Sequence, residues 1–473
     1  MIHDKAIQGA DFSAPLEVCQ APCGSNESDV AIVPNEHPDA IKALLGEWYD
    51  HDLDFIGPEG DALTDALLAA IESVAKPRGK ARRPNDAANH RALVRKIAAN
   101  GFHAFNYHNP PLVAVRRKGN GYKDRGQPGL SGTAMRRETS LLERAGLIVV
   151  NKGRNGEAST TYCVTEQFLV AAMQARITEM NLSYRLPLAR LVRVYETNGR
   201  DGRLANFDNA GEAHQWIEQI DAWNGFIVQQ QIGIALSEAE TARLTTRMNL
   251  ERRVGIPRLI CPDLTKRCLY RQFSNGSFEA GGRLYGAWWI NCPKALRPSI
   301  VINGKQTVEL DFSGCAIRML YHENDQECVD DPYYHQEIDV CERENGLPNG
   351  HFREDVKRMT QALINGRRGG SAERIILPPN HTFRPYFTRS QVMMMIKIKH
   401  ASISHAFQTG AWGRLQRADS DIALEVITNL KVRNVVALPI HDSFIVQIDQ
   451  KEELRQEMSD RYLKKCGFNP VVQ

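Results

Sequence analysis

Residues 305–321 read KQTVELDFSGCAIRMLY. Val308, Leu310 and Phe312 alternate as strand residues do, and Asp311 sits among them at the strand's end. Small residues follow, and then a helix-like run that carries Arg318. An unpaired carboxylate costs several kcal/mol to bury, so an acid at the end of an apolar strand calls for a cation.

A second stretch supplies a second acid. VVALPIHDSFIVQID, residues 435–449, is two apolar strand segments interrupted by His441, Asp442 and Ser443, a hairpin with a carboxylate at its tip. Taken alone, either aspartate reads as a turn former or an N-cap. Together, two strands that each end in an Asp can hold two divalent metals about 3.5–4 Å apart, the geometry of in-line phosphoryl or nucleotidyl transfer.

Between the two acids lies HFREDVKRMTQALINGRRGG, residues 351–370. Arg353 and Lys357 are four apart and share one helix face, and Asn365-Gly366 ends the helix two turns later. Such a cationic face suits a nucleoside triphosphate, although a solvated basic helix has the same pattern. Upstream, Glu279, Gly282 and Arg283 fall in the order acid-x-x-Gly-Arg. Glycine there permits a close backbone approach, and arginine reaches a phosphate or a minor-groove edge.

This order of motifs, over residues 276–473, resembles the polymerase core of family A: the DNA polymerase I type enzymes and the single-subunit phage and mitochondrial RNA polymerases. LQRADSDIALEVI, residues 415–427, is similar to the family's helix that carries a template-contacting glutamine, here Gln416. The resemblance implies an α+β fold: a right-hand polymerase palm with an antiparallel sheet, a helical thumb and reduced fingers. It implies that Asp311 and Asp442 bind two Mg2+ or Mn2+ ions and are catalytic. Arg353 and Lys357 would hold the incoming phosphates. Glu279, Gly282, Arg283, Arg318, Gln416 and His441 would face template and primer.

Three positions depart from the family's DNA-making pattern, and they bear on the sugar. Ala316 stands five residues past Asp311, where a glutamate usually crowds the ribose 2′-hydroxyl. Asn365 replaces the aromatic residue before the helix-ending glycine, and Ser443 follows Asp442 where a glutamate is usual. Ala316 and Asn365 are therefore nucleotide-site residues whose choice between dNTP and NTP stays open. Arg318, seven past Asp311, follows the DNA polymerase form.

The remainder of the chain suggests how such a core is recruited. Of 473 residues, 42% are hydrophobic and 24% charged, ordinary for a soluble protein with two or three domains. The ten cysteines include no C-x-x-C pair, so reduced thiols in a cytoplasm are the reading, without a secretory leader or a run of about 20 apolar residues for a membrane. The net charge of +3 hides an asymmetry: residues 1–75 hold fifteen acids and two lysines, residues 76–154 eighteen Lys or Arg and four acids. That split points to nucleic acid.

Residues 1–75 are expected to be an acidic helical region, with helices over 40–53 and 61–75. A basic linker follows, and then residues 76–175, where a helix over 89–101, a helix from Ser131 and a hairpin turning at Asn155-Gly156 resemble a winged helix-turn-helix domain. There Arg136 and Arg137 would sit on the exposed face of the recognition helix, with Lys152 and Arg154 at the wing. Winged helices also serve as protein adaptors. Residues 176–275 read as a mostly helical, thumb-like region, with 213–254 its longest run, and residues 276–473 as palm and fingers.

The expected function is a DNA-dependent DNA polymerase with weak ribonucleotide exclusion and no identifiable proofreading domain, serving a mobile element or phage-like replicon. Its partners would be a DNA template and primer, nucleoside triphosphates and replication proteins. A primase or single-subunit RNA polymerase is the alternative, and a non-catalytic DNA-binding replication or regulatory protein is the third reading.

Overall fold

The computed structural model describes residues 47–75, 81–108, 111–115, 130–153, 159–184, 186–197, 204–205, 207, 211–237, 239–240, 262–366, 383 and 385–473. The first part of the chain runs β1 (Glu47–Trp48), β2 (Leu53–Phe55), α1 (Gly57–Val74), α2 (Pro84–Tyr107) and β3 (Val113–Val115). It continues with α3 (Gly132–Arg144), β4 (Ile148–Asn151), β5 (Thr160–Val164), α4 (Glu166–Gln174) and β6 (Leu182–Tyr184).

These elements close around one core. Leu63, Leu67 and Ile71 recur at four-residue spacing on α1 and meet Val94 and Ile97 of α2, Leu142 of α3 and Tyr162 of β5. The acidic head and the basic block thus share a core from residue 49 onward, and the described part of the helix expected over 40–53 is instead β1, a connecting turn and the start of β2. Residues 40–46 and the turn at Arg154, Asn155 and Gly156 lie outside the described residues. The sheet order is β1-β3-β5-β4, with β3, β5 and β4 antiparallel and α3 leading into the β4–β5 hairpin. Ser131 caps α3 by accepting from the Ala134 amide at 3.1 Å.

Part of the charge asymmetry is consumed here. Arg95 of α2 pairs with Asp54 and Asp61, Arg91 pairs with Asp65, and Arg190 pairs with Asp52. The acids of the head and the arginines of the block neutralise each other across α1 and α2, which leaves a smaller basic surface than the composition suggests.

The second part begins with β7 (Val192–Val194), α5 (Glu212–Ile227), β8 (Ile232–Ile234), β9 (Tyr270–Phe273) and β10 (Gly281–Tyr285). Next come β11 (Ile300–Ile302), β12 (Lys305–Asp311), α6 (Cys315–His322), α7 (Gln336–Glu344), α8 (Arg353–Asn365) and α9 (Arg389–Lys399). The chain closes with α10 (Trp412–Val432), β13 (Leu438–Ile440), β14 (Ser443–Gln447) and α11 (Lys451–Cys466). A five-stranded antiparallel sheet of order β13-β14-β12-β11-β8 carries the core, and α10 and α11 pack against its elements. A second sheet, β10-β9-β7, leans on α10.

The fold class is therefore mixed α+β, as expected. The helical expectation for 176–275 is corrected on both sides of α5. β6 and β7 precede α5, and α5 stops at Ile227 because Ile232–Ile234 is drawn into the sheet, pairing with Ile300–Ile302. Residues 241–261 lie outside the described residues. Among the described residues no helix is long and apolar enough to cross a membrane.

The two cores are tied by buried polar contacts. His103 Nε2 of α2 meets Asp263 Oδ2 at 2.8 Å, and Thr265 and Lys266 also face that carboxylate. Burial alone would push the Asp263 carboxyl up, but the His103 hydrogen bond and charge, the Thr265 hydroxyl and Lys266 carry it down to about 2. A carboxylate whose pKa falls on folding adds stability above its unfolded pKa, near 4, and that contribution fades as pH drops toward 2. Asp263→Asn should cost about 2 kcal/mol at pH 7 in urea unfolding, with the gap to wild type closing between pH 4 and 2. A gap that stays constant with pH would assign the loss to packing alone.

Candidate functional site

Asp311 ends β12 in register with Ser443, the first residue of β14, and the Phe312 amide donates to the Asp442 carbonyl at 3.2 Å. Asp311 therefore closes a strand of the central sheet, and Asp442 sits beside it, one residue before the neighbouring strand begins. Asp442 falls in the two-residue turn between β13 and β14, where His441 takes a left-handed φ of 60°. The small residues after Asp311 have a backbone reason: Gly314 caps α6 at φ 60°, and a Cβ there would press on Pro332 Cγ at 3.0 Å.

The electrostatics at Asp311 are those of a carboxylate short of a cation. Its Oδ1 is buried without a hydrogen-bond partner. Burial first, then the charge of Asp442, push its carboxyl up to about 7, against the pull of Lys357. A divalent ion fits this orphaned oxygen and adjoining negative charge, so the donor set suits a hard cation.

Lys357 is half-buried on α8 and acts on Asp311, while Arg353, one turn earlier, is held by Asp331 with Nε–Oδ2 at 2.7 Å. The Arg353 guanidinium lies 5.4 Å from the ring of buried Tyr333. The Tyr333 hydroxyl has no hydrogen-bond partner of good geometry, the Gln361 amide being its polar neighbour, and burial pushes it up to about 12. α8 ends at Asn365-Gly366 as its sequence indicates, and Asn365 is exposed.

Arg283 on β10 donates from Nε and Nη2 to Asp419 Oδ2, each at 2.9 Å. Asp419 is buried on α10; burial pushes its carboxyl up, Arg283 pulls it back, and Asp442 adds to the rise. Three carboxylates, Asp311, Asp419 and Asp442, thus share one electrostatic environment with Arg283 and Lys357. The His441 ring packs edge-on against Tyr285 at 5.7 Å, and burial, followed by Arg283, drops its pKa to about 4, so the imidazole is neutral at pH 7. Ser443 donates to Glu309 at 2.6 Å, and Glu309 in turn meets Arg297 at 2.8 Å.

Gly282 has a structural role different from the expected close approach of nucleic acid. Its φ is 88°, and a Cβ would stand 2.8 Å from both Phe273 Cε1 and Ser420 Oγ. The close neighbour is the protein's own α10. Gly282→Ala should cost about 2–3 kcal/mol in a urea titration. A loss below about 0.5 kcal/mol would mean that β10 and α10 can part freely.

Other expected residues fall in different places. Arg318 is buried and donates to the carbonyls of Ser313, Cys328 and Asp330, so its guanidinium braces the loop after α6 and is not presented to a duplex. Glu279 is exposed at the turn before β10, and Ala316 is half-buried on α6. Gln416 and Asn365 line one cleft with Tyr285. On the first module Arg136 and Lys152 are exposed, while Arg137 is half-exposed and its Nε donates to buried Glu138 at 2.6 Å. Glu138 also meets His90 of α2 at 2.7 Å.

Sequence reading missed Asp419 and Arg271. Asp419 lies three residues after Gln416, one helical turn along, which was the available signal. Arg271, fully buried, joins Gly282, Ser420 and Asp421 and had no local signal. Asp50, His51 and Asp52 also cluster, and Arg190 already pairs with Asp52 Oδ2 at 2.8 Å and meets His51 at 3.1 Å. Comparison with known protein families and with curated proteins finds no match for the chain.

Proposed function

We propose that the chain is a template-directed nucleotidyltransferase, a DNA-dependent DNA polymerase with weak exclusion of ribonucleotides. The observation that carries this reading is Asp311 at the end of β12 beside Asp442 in the adjoining β13–β14 turn, with Asp311 Oδ1 orphaned and the charge of Lys357 acting on its carboxylate. Asp311 and Asp442 would hold the Mg2+ or Mn2+ ions. When bound, such ions lower the pKa of the attacking hydroxyl and neutralise charge on the leaving pyrophosphate.

The chain's own residues supply the remainder. Lys357 and Arg353 bind the triphosphate from one face of α8, Arg353 exchanging Asp331 for phosphate oxygens. Arg283, aimed by Asp419, contacts the primer-template duplex beside Asp442. Neutral His441, packed on Tyr285, orients the primer end without adding charge to the carboxylates.

The first module supports recruitment to DNA. Its helix α3, followed by the β4–β5 hairpin in a sheet of order β3-β5-β4, suits a winged helix-turn-helix, with exposed Arg136 and Lys152 for phosphates. Replication proteins are its other candidate partners.

The test is primer extension on a DNA template with Mg2+ or Mn2+, using DNA or RNA primers and dNTPs or NTPs. Extension of a DNA primer with dNTPs is the expected result; no extension under any combination overturns the reading. Product from an unprimed template would establish the second reading, a primase or RNA polymerase. That reading is favoured by the single methyl group of Ala316 where a ribose wall would stand. Ala316→Glu should lower NTP use at least about tenfold more than dNTP use. Equal effects on both would remove the sugar-wall argument.

A further inference from the structure

The loop between β1 and β2 holds three side chains whose chemistry the polymerase reading does not use. Asp50, His51 and Asp52 each offer one ligand atom, and these atoms lie within 4.8 Å of one another. The loop is fixed by its neighbours. The Tyr49 amide donates to the Ala114 carbonyl at 2.9 Å and the Asp50 amide to Asn100 Oδ1 at 2.7 Å, while Asn100 Nδ2 donates to the Asp50 carbonyl at 2.8 Å. Lys96 of α2 donates to the His51 carbonyl. His51 is 2% exposed and Asp52 6%, so these two are not the solvated groups of an ordinary polar loop.

Arg190 is the cation that meets this group, and it leaves the group in conflict. Its Nη1 lies 2.8 Å from Asp52 Oδ2 and 3.1 Å from His51 Nε2. A guanidinium has donors and no acceptor, so it can bond His51 Nε2 only where that nitrogen carries a lone pair. Asp52 Oδ1 then faces that lone pair across 3.2 Å, and this oxygen is buried without a hydrogen-bond partner. A proton on Nε2 would serve Asp52 Oδ1 but set an N–H against the N–H groups of Arg190. Neither state of the imidazole satisfies both neighbours. A cation held between Nε2 and Oδ1 does.

We infer that Asp50, His51 and Asp52 bind one divalent transition-metal ion of the Zn2+ type, with Arg190 as its internal competitor. Two carboxylates balance the ion's charge, and the imidazole favours such an ion over Mg2+, which takes oxygen donors. Zinc lies about 2.0–2.2 Å from nitrogen and oxygen ligands, so atoms that share it are at most about 4.4 Å apart, and small side-chain rotations close the set. The Arg190 side chain, already 33% exposed, has a way out to water. Arg190 belongs to the segment that leads into β7, so loading the ion exchanges the tie between loop and segment for one within the loop. The site lies on the first module and does not depend on the polymerase reading.

The test uses the full chain carrying Asp311→Asn and Asp442→Asn, which silences the proposed catalytic ions, in a thiol-free reductant with millimolar Mg2+. Zn2+ is titrated against a chromophoric chelator, and Co2+ is followed by its visible absorption. One equivalent of Zn2+ should bind that His51→Ala loses and that His214→Ala, at an exposed histidine, keeps. Arg190→Met should tighten this equivalent by about tenfold or more, since the ion no longer displaces a charged hydrogen-bond donor. Equal Zn2+ binding by the His51→Ala chain would place the ion on thiols and overturn the inference. Absence of binding in Mg2+, or weaker binding by Arg190→Met, overturns it as well. Should His51→Ala fail to fold, Asp50→Asn at a half-buried position serves in its place, with the same loss expected.

Discussion

Asp311→Asn should abolish primer extension, lowering the rate by about a thousandfold or more, and Asp442→Asn should do the same. Each change keeps the side chain's shape and removes one of the two negative charges that a pair of divalent ions requires. Metal stabilisation of a displacement is worth several kcal/mol, and each 1.36 kcal/mol is tenfold in rate. The same substitution at Asp311 should act on stability in the opposite direction. Its carboxyl is raised on folding to about 7, so without metal the charged form opposes folding, and stability falls as pH rises from 4 toward 7. In EDTA at pH 8, Asp311→Asn should therefore unfold at higher urea than wild type, with the difference vanishing near pH 4. Loss of extension in a chain that has become more stable separates a missing charge from a damaged fold. Extension at the wild-type rate in both variants would sink the assignment.

Much of this pair was legible because its signals are local. Alternation in 305–312 fixed β12 and put Asp311 at its end, and the apolar runs flanking His441 and Asp442 fixed the β13–β14 hairpin. The spacing of Arg353 and Lys357 placed both on one face of α8, and Asn365-Gly366 ended it. What failed was set by distant partners. Ile232–Ile234 has the composition to extend α5, but Ile300–Ile302, almost seventy residues on, recruits it as an edge strand. The basic block looked free for nucleic acid because the sequence does not say that Arg91 and Arg95 face Asp54, Asp61 and Asp65 across two helices. Arg318 looked like a ligand-facing cation, yet three carbonyls of its own loop enclose it. Asp419 reads as one polar position on an amphipathic helix until Arg283 and Asp442 are brought to it.

Arg271 is the strongest case of meaning acquired in three dimensions, and Arg271→Ala should cost about 3–5 kcal/mol in urea unfolding. Its side chain is fully buried, and its Nε donates to the Gly282 carbonyl and Nη2 to Ser420 Oγ, each at 2.8 Å, with Asp421 beside them. The guanidinium lies 4.6 Å from the Trp216 ring and 4.9 Å from that of Phe273. Burial lowers its pKa to about 10, with Asp421 resisting, so it stays charged at pH 7. Truncation to alanine opens a cavity between β9 and α10 and releases the Gly282 carbonyl. Asp421 keeps Arg417 and Lys465, so an orphaned acid is not the main cost. Arg271→Met separates the remaining terms. By refilling the volume it should recover more than half of the lost stability, since buried ion pairs are often replaceable by apolar groups. It cannot hold the Gly282 carbonyl, and Gly282 precedes Arg283, so primer-template affinity should still fall about tenfold. A methionine variant with wild-type affinity would show that Arg283 is aimed by Asp419 alone, and an alanine variant within 1 kcal/mol of wild type would show that the β9–α10 seam closes without its arginine.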